Sequence, residues 1–121
     1  MPTEAKAVAA NDTPTDFKSF FPYYLREHAH PVCRALHYIG TTLVFAILAY
    51  ALYSGEAVYL WAMPLVGYFF AWVGHFFIEK NKPATFTYPL WSLLGDFKMY
   101  FLFVSGRLGA ALDAAGVPKS R

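Results

Sequence analysis

A chain of 121 residues that is 57% apolar, 20% aromatic and only 15% charged has too little polar surface to close a solvated globule of its size. Its net charge of +2 is small and scattered, which excludes an electrostatic nucleic-acid binder, and its one cysteine, Cys33, excludes an internal disulfide framework. Lipid is the simpler solvent, and the length is that of one domain.

The opening MPTEAKAVAANDTPT lacks the apolar core of a signal peptide, so residues 1–15 are expected to be a flexible tail. Segment 16–29, DFKSFFPYYLREHA, places Phe17, Phe20, Phe21, Tyr24, Leu25 and His28 at the spacing of one helix face. Asp16 suits an N-cap, and Pro22 should kink the helix or begin its main part. The segment is too short and polar to span, so an interfacial helix with its aromatic face in lipid is expected. Pro31 suits the first turn of the next helix.

Residues 35–55 carry no acidic or basic side chain apart from His37, and residues 57–78 none apart from His75. At 1.5 Å per residue each stretch reaches about 30 Å, the thickness of a bilayer core. YSGE (53–56) is a tight connection, so the pair reads as an antiparallel hairpin. Lys18, Arg26, Arg34, Lys80 and Lys82 flank its open end and the turn has no basic residue, which places both ends in the cytoplasm. Pro83 and Pro89 make 83–90 irregular or re-entrant. Residues 90–105 then form a mostly apolar helix whose Asp96 and Lys98 favour the interface or burial against the hairpin. The expected architecture is all-α: an integral membrane helical hairpin with an N-terminal amphipathic interfacial helix and a further C-terminal apolar helix. One domain covers 16–110, and 111–121 form a second tail. Gly67, Ala71 and Gly74 have the spacing of close helix packing.

The hairpin gathers the histidines. His37 lies near the start of the first spanning helix and His75 near the end of the second, so both come to the same end at similar depth; a short link brings His28 there too. Glu79, four residues after His75, is expected on the same helical face. His28, His37, His75 and Glu79 are therefore the candidate metal ligands and catalytic residues. Two histidines with a carboxylate suit non-haem Fe(II), and three histidines with open positions suit iron or zinc. Four histidines in all limit the chain to one mononuclear site. His30 should point away from His28; it and Asp96 are placed as residues that orient a ligand from behind. Cys33, one turn before His37, fits a small buried apolar role better than a ligand.

EHAHPVCRALHYIGT, GYFFAWVGHFFIEKNKPATF and YPLWSLLGDFKMY together resemble a family of small membrane 2-hydroxy fatty acid dioxygenases, fungal enzymes of α-oxidation and their short bacterial relatives. The likeness covers roughly 17–107 and falls on His28, His37, Gly74, His75, Glu79, Pro83 and Ala84; Cys33 replaces the Asn of eukaryotic relatives. It implies an Fe2+ enzyme that takes a 2-hydroxy fatty acid and O2 to a fatty acid one carbon shorter and CO2, in the bilayer. A 2-hydroxy carboxylate can chelate iron through both oxygens, with Arg34 or Lys80 steadying the carboxylate. No glycine-rich phosphate loop calls for a further cofactor. The shortness of the chain points to a bacterial inner membrane rather than endoplasmic reticulum; chain-length preference and oligomeric state stay open. The alternatives are a non-enzymatic membrane module that binds lipid or a partner, and a zinc lipid hydrolase.

Overall fold

The structure, a computed structural model, describes residues 13–117 and contains five α-helices and no strand among them. Most of the first tail and the end of the second, residues 1–12 and 118–121, lie outside the described residues. Helix α1 is Phe17–Arg26. It starts where Asp16 accepts the Ser19 N–H at 2.9 Å and the Ser19 hydroxyl accepts the Asp16 N–H at 3.3 Å, a reciprocal cap. The helix runs through Pro22.

The aromatic face of α1 does not lie open to lipid. Phe20, Phe21, Tyr24 and Leu25 are buried in a protein core with Met99, Leu108 and Val117. Phe20 also meets Tyr88 and Trp91 at ring-centroid distances of 5.3 and 5.6 Å. An apolar stripe reads the same whether a bilayer or a neighbouring helix covers it, and here two C-terminal helices do.

Helix α2, Pro31–Ser54, begins with proline in its first turn and ends at Gly55, whose φ of 74° lets the chain reverse. A 3-10 turn, Ala57–Trp61, leads into α3, Ala62–Val73, which continues as a π-helical segment, Gly74–Glu79. Pro31–Ser54 and Ala57–Glu79 are each long and apolar enough to cross a membrane. Only 17% and 6% of their most apolar windows are buried, unlike the core helices of a soluble protein. The two pack antiparallel through small residues. A Cβ on Gly74 would stand 2.9 Å from the Cys33 Sγ, and one on Gly40 3.1 Å from the Phe70 Cβ.

Pro83 and Pro89 bracket a 3-10 turn, Ala84–Phe86, after which α4, Pro89–Val104, packs back on the hairpin. It runs antiparallel to the first half of α2: Tyr38 stacks on Phe103 at 4.0 Å, Thr42 and Tyr100 share a hydroxyl hydrogen bond at 2.9 Å, and Phe45 meets Phe97 at 5.6 Å. The Lys98 ammonium stands 4.5 Å from the centre of the Phe21 ring, a cation–π contact. Residues 111–117 do not form the expected tail. Leu108–Ala115 forms α5, and Ala115 and Val117 are buried against α1. Arg26 fixes this packing by donating to the Ala115 carbonyl at 3.1 Å. Leu108, Ala111, Leu112 and Ala115 supply the helical stripe that an alanine-rich tail conceals.

Candidate metal centre

Three of the four histidines meet where α1, α2 and the π-helical segment come together. His28 lies in the link after α1, His37 two turns into α2, and His75 in the π-helical segment; their exposures are 1%, 5% and 2%. His28 Nε2 is 3.1 Å from His37 Nε2 and 3.0 Å from His75 Nε2, and the three ligand atoms all lie within 4.8 Å of one another.

The other ring nitrogen of each histidine fixes what these atoms can do. His28 Nδ1 lies 2.7 Å from the Tyr24 carbonyl oxygen and His37 Nδ1 2.8 Å from the Cys33 carbonyl oxygen. A carbonyl only accepts, so both Nδ1 atoms carry the proton. His75 Nδ1 lies 2.8 Å from Asn81 Oδ1. The Asn81 amide is held that way round because its Nδ2 donates to the Glu27 carbonyl at 3.1 Å and the Glu27 carboxylate at 3.3 Å. All three Nε2 atoms therefore present lone pairs to one another with no proton of their own between them. Neutral imidazoles so placed repel unless a cation sits among them. Two nitrogens about 2.1 Å from one ion at right angles stand about 3.0 Å apart, against about 3.4 Å at the tetrahedral angle. The two Nε2 separations from His28 match the right-angled case.

Burial, and then the neighbouring His37 and His75, hold the His28 imidazole well below its ordinary pKa, so it stays neutral and ready to ligate. Behind it the Tyr24 ring stacks at 4.0 Å, and the Tyr24 hydroxyl donates to Asp96. Tyr24 fits there because Gly95 has no side chain; a Cβ would come within 2.9 Å of the tyrosine ring. Burial pushes the Asp96 carboxyl up to about 7, against the pull of the Tyr24 hydroxyl.

Glu79 stands outside the cluster. Its carboxylate accepts the backbone N–H of His30, at the N-terminus of α2. That bond, rather than the helical period, keeps Glu79 from the converging nitrogens, a group that includes no carboxylate. The His30 side chain is an N-cap, accepting the Val32 N–H at 3.0 Å. Arg34 is spent on the α1–α2 link, where one of its nitrogens donates to the His28 and Ala29 carbonyls at 2.9 Å each. Lys80 is exposed and ends the π-helical segment at φ 61°, the one left-handed non-glycine among the described residues. Asp96 reaches the cluster through Tyr24. The Cys33 Sγ lies 3.8 Å from His37 Nδ1, on the side away from the converging nitrogens.

Asn81 and Tyr24 escaped the sequence reading. Tyr24 had a signal: it precedes His28 by one helical turn, the offset at which a side chain meets the turn behind it. Asn81, between two lysines before a proline, reads as an ordinary loop residue.

A small pocket opens beside the three rings, lined by His28, His37 and His75 with Tyr24, Asp96 and Pro83. A larger cavity of about 330 Å³ adjoins it between α2, α3 and α4. Residues 14–108 match the family described as 2-hydroxy-palmitic acid dioxygenase Mpo1-like, and the chain belongs to that family. Neither the curated proteins nor the solved structures offer a match.

Proposed function

We propose that this member of the family is a membrane enzyme that uses Fe(II) and O2 to cleave the C1–C2 bond of a 2-hydroxy fatty acid. The products are a fatty acid one carbon shorter, CO2 and water, which balances the atoms of the hydroxy acid and one O2. The observation that carries this reading is the set of three Nε2 lone pairs, each fixed by an Nδ1 proton committed to an oxygen acceptor. Such second contacts are how proteins orient imidazole ligands. Ferrous iron bound there would supply the electron transfer that O2 requires before it attacks an ordinary organic substrate.

The chain's own residues do the rest. His28, His37 and His75 would hold the ion, and the pocket beside their rings would receive the hydroxyl and carboxylate of the acid. Tyr24 braces His28, and Asp96, which lines both cavities, faces the bound head as a hydrogen-bonding group whose proton is available near neutral pH. Glu79 and Arg34 shape the site by tying the α1–α2 link to the end of the π-helical segment and to α2. Their polar groups are engaged with backbone, which leaves neither positioned as ligand or carboxylate clamp.

The hairpin crosses the bilayer with both ends in the cytoplasm, where Arg26, Arg34, Lys80 and Lys82 flank it. Exposed Leu52, Leu65 and Phe77, at 75%, 73% and 70%, support a lipid setting, and Tyr50, Tyr53, Tyr59 and Trp61 form an aromatic girdle at the turn. The test is turnover of C1-labelled 2-hydroxy acid by iron-loaded protein. Labelled CO2 and the shortened acid should appear in step with O2 uptake, and the acid lacking the hydroxyl should give neither. Product formed without O2 would instead fit a hydrolase and defeat this reading.

A further inference from the structure

We infer that the acyl chain of the substrate lies in the 330 Å³ trough between α2, α3 and α4, and that Met63 at its far end limits the chain length accepted. The inference rests on the reading above, that the histidine cluster receives the polar head of a 2-hydroxy acid. Three observations converge on it.

The trough is continuous with the histidine pocket. His37, Tyr68, Ala71 and Asp96 line both, so Ala71 and Tyr68 form a neck between them. Its polarity is one-ended. His37, Asp96 and the phenol-bearing Tyr68 stand at the neck, and beyond them the walls are Val44, Met63, Gly67, Leu93 and Phe97, with Thr41 adding a hydroxyl. A molecule with a polar head and an apolar tail fits such a site in one direction only. The rim is also open at the level of the apolar helices: Tyr68 and Leu93 are 40% and 46% exposed, so a chain can enter sideways from lipid. Room exists partly because Gly67 has no side chain; a Cβ there would already touch the Val44 Cγ2 at 3.4 Å.

Length follows from the helix. At 1.5 Å per residue, the step back from His75 to Met63 is about 18 Å along the axis. An extended alkyl chain advances about 1.25 Å per bond, from a carbon–carbon bond of about 1.52 Å at the tetrahedral angle, so the path from the histidine cluster to Met63 takes about fourteen carbons. Each methylene buried in it should raise kcat/KM about fourfold, the equivalent of about 0.8 kcal/mol per CH2, until the chain reaches Met63.

The test uses the protein in phosphatidylcholine nanodiscs, held without oxygen so that nothing turns over, with 2-hydroxy acids of ten to eighteen carbons bearing a terminal diazirine. The photolabel is expected to move with length, from Thr41 for the short chains to Val44 and Met63 for those near fourteen carbons. Ala71→Leu, which fills the neck, should cut that labelling at least tenfold. Met63→Ala, a milder change at the far end, should carry the rise in kcat/KM on by two or more carbons. Labelling of outward-facing Leu65 and Phe69 at every length, indifferent to Ala71→Leu, would overturn the inference. Labelling of the trough by a protein that never oxidises the acids would support the acyl site while defeating the dioxygenase reading, so the two fail separately.

Discussion

His75 donates its Nδ1 proton to Asn81 Oδ1 at 2.8 Å, and the bond exists because the helix bearing His75 widens and then stops between the two residues. The Asn81 N–H turns back onto the His75 carbonyl at 2.9 Å, and the Asn81 amide reaches across to Glu27. One asparagine thus links the last turn of the hairpin to the end of α1 and sets which nitrogen of His75 is free. Asn81→Ala should weaken metal binding about 10- to 100-fold, the usual cost of losing a residue that orients a histidine ligand. Asn81→Asp keeps the acceptor for His75 but sets a carboxylate against the Glu27 carbonyl and carboxylate, so it should recover only part of it. Competition with a chelator of known affinity measures both.

Glu79 gives the complementary case. Because its carboxylate holds the His30 N–H, Glu79→Gln keeps an acceptor and should bind metal as the parent protein does. Glu79→Ala leaves that donor unpaired and should cost about 1–3 kcal/mol of stability. Metal content and thermal unfolding of the two variants decide the matter; loss of metal in Glu79→Gln would return Glu79 to the ligand set.

Gly74 and Cys33 form the tightest helix crossing near the site. A Cβ on Gly74 would come within 2.9 Å of the Cys33 Sγ, so Gly74→Ala should destabilise the protein by about 1–3 kcal/mol. Removing the sulfur relieves the clash. Cys33→Ala on the Gly74→Ala background should therefore cost less than on the parent, and a double-mutant cycle reads that coupling.

Stability should respond to pH through two opposed groups. Burial depresses the His28 pKa below 6.5, so the unfolded chain binds that proton first, and stability is lost as the pH falls below about 6.5 toward the folded value. Asp96 is raised from 3.8 to about 7, so the folded chain holds its proton more tightly, and stability is lost as the pH rises through that range. In metal-free protein the two slopes, each at most about 1.4 kcal/mol per pH unit, oppose one another just below about pH 6.5. Asp96→Asn still accepts from the Tyr24 hydroxyl but cannot titrate. Its unfolding temperature should fall more steeply on acidification than that of the parent, and an unchanged profile would contradict the assignment.

Much of this arrangement was legible in the residues. The two uncharged runs, the glycine turn and the basic flanks define a hairpin, and antiparallel geometry then brings His37 and His75 to one end with His28 on a short tether. What was not legible depends on departures from the regular helix. A single period of 3.6 puts Glu79 beside His75, but the Glu79 carboxylate is taken by the His30 N–H, and Asn81 from the loop meets His75 instead. The α1 face is equally ambiguous in sequence, since Phe20, Tyr24 and Leu25 satisfy lipid and protein alike. Only the packing of α4 and α5 assigns them to the core. Arg34 looked free to meet a carboxylate because hydrogen bonds to a non-helical link leave no periodic trace.

The function proposed for this protein requires that His28, His37 and His75 hold a metal. The most direct measurement is elemental analysis of protein purified without oxygen and loaded with ferrous iron, beside the His37→Ala/His75→Ala double variant, with helical content checked by circular dichroism. About one iron per chain is expected in the parent and none in the folded variant. A folded parent protein that takes up no metal, or a double variant that retains it, would contradict the centre proposed for these three histidines.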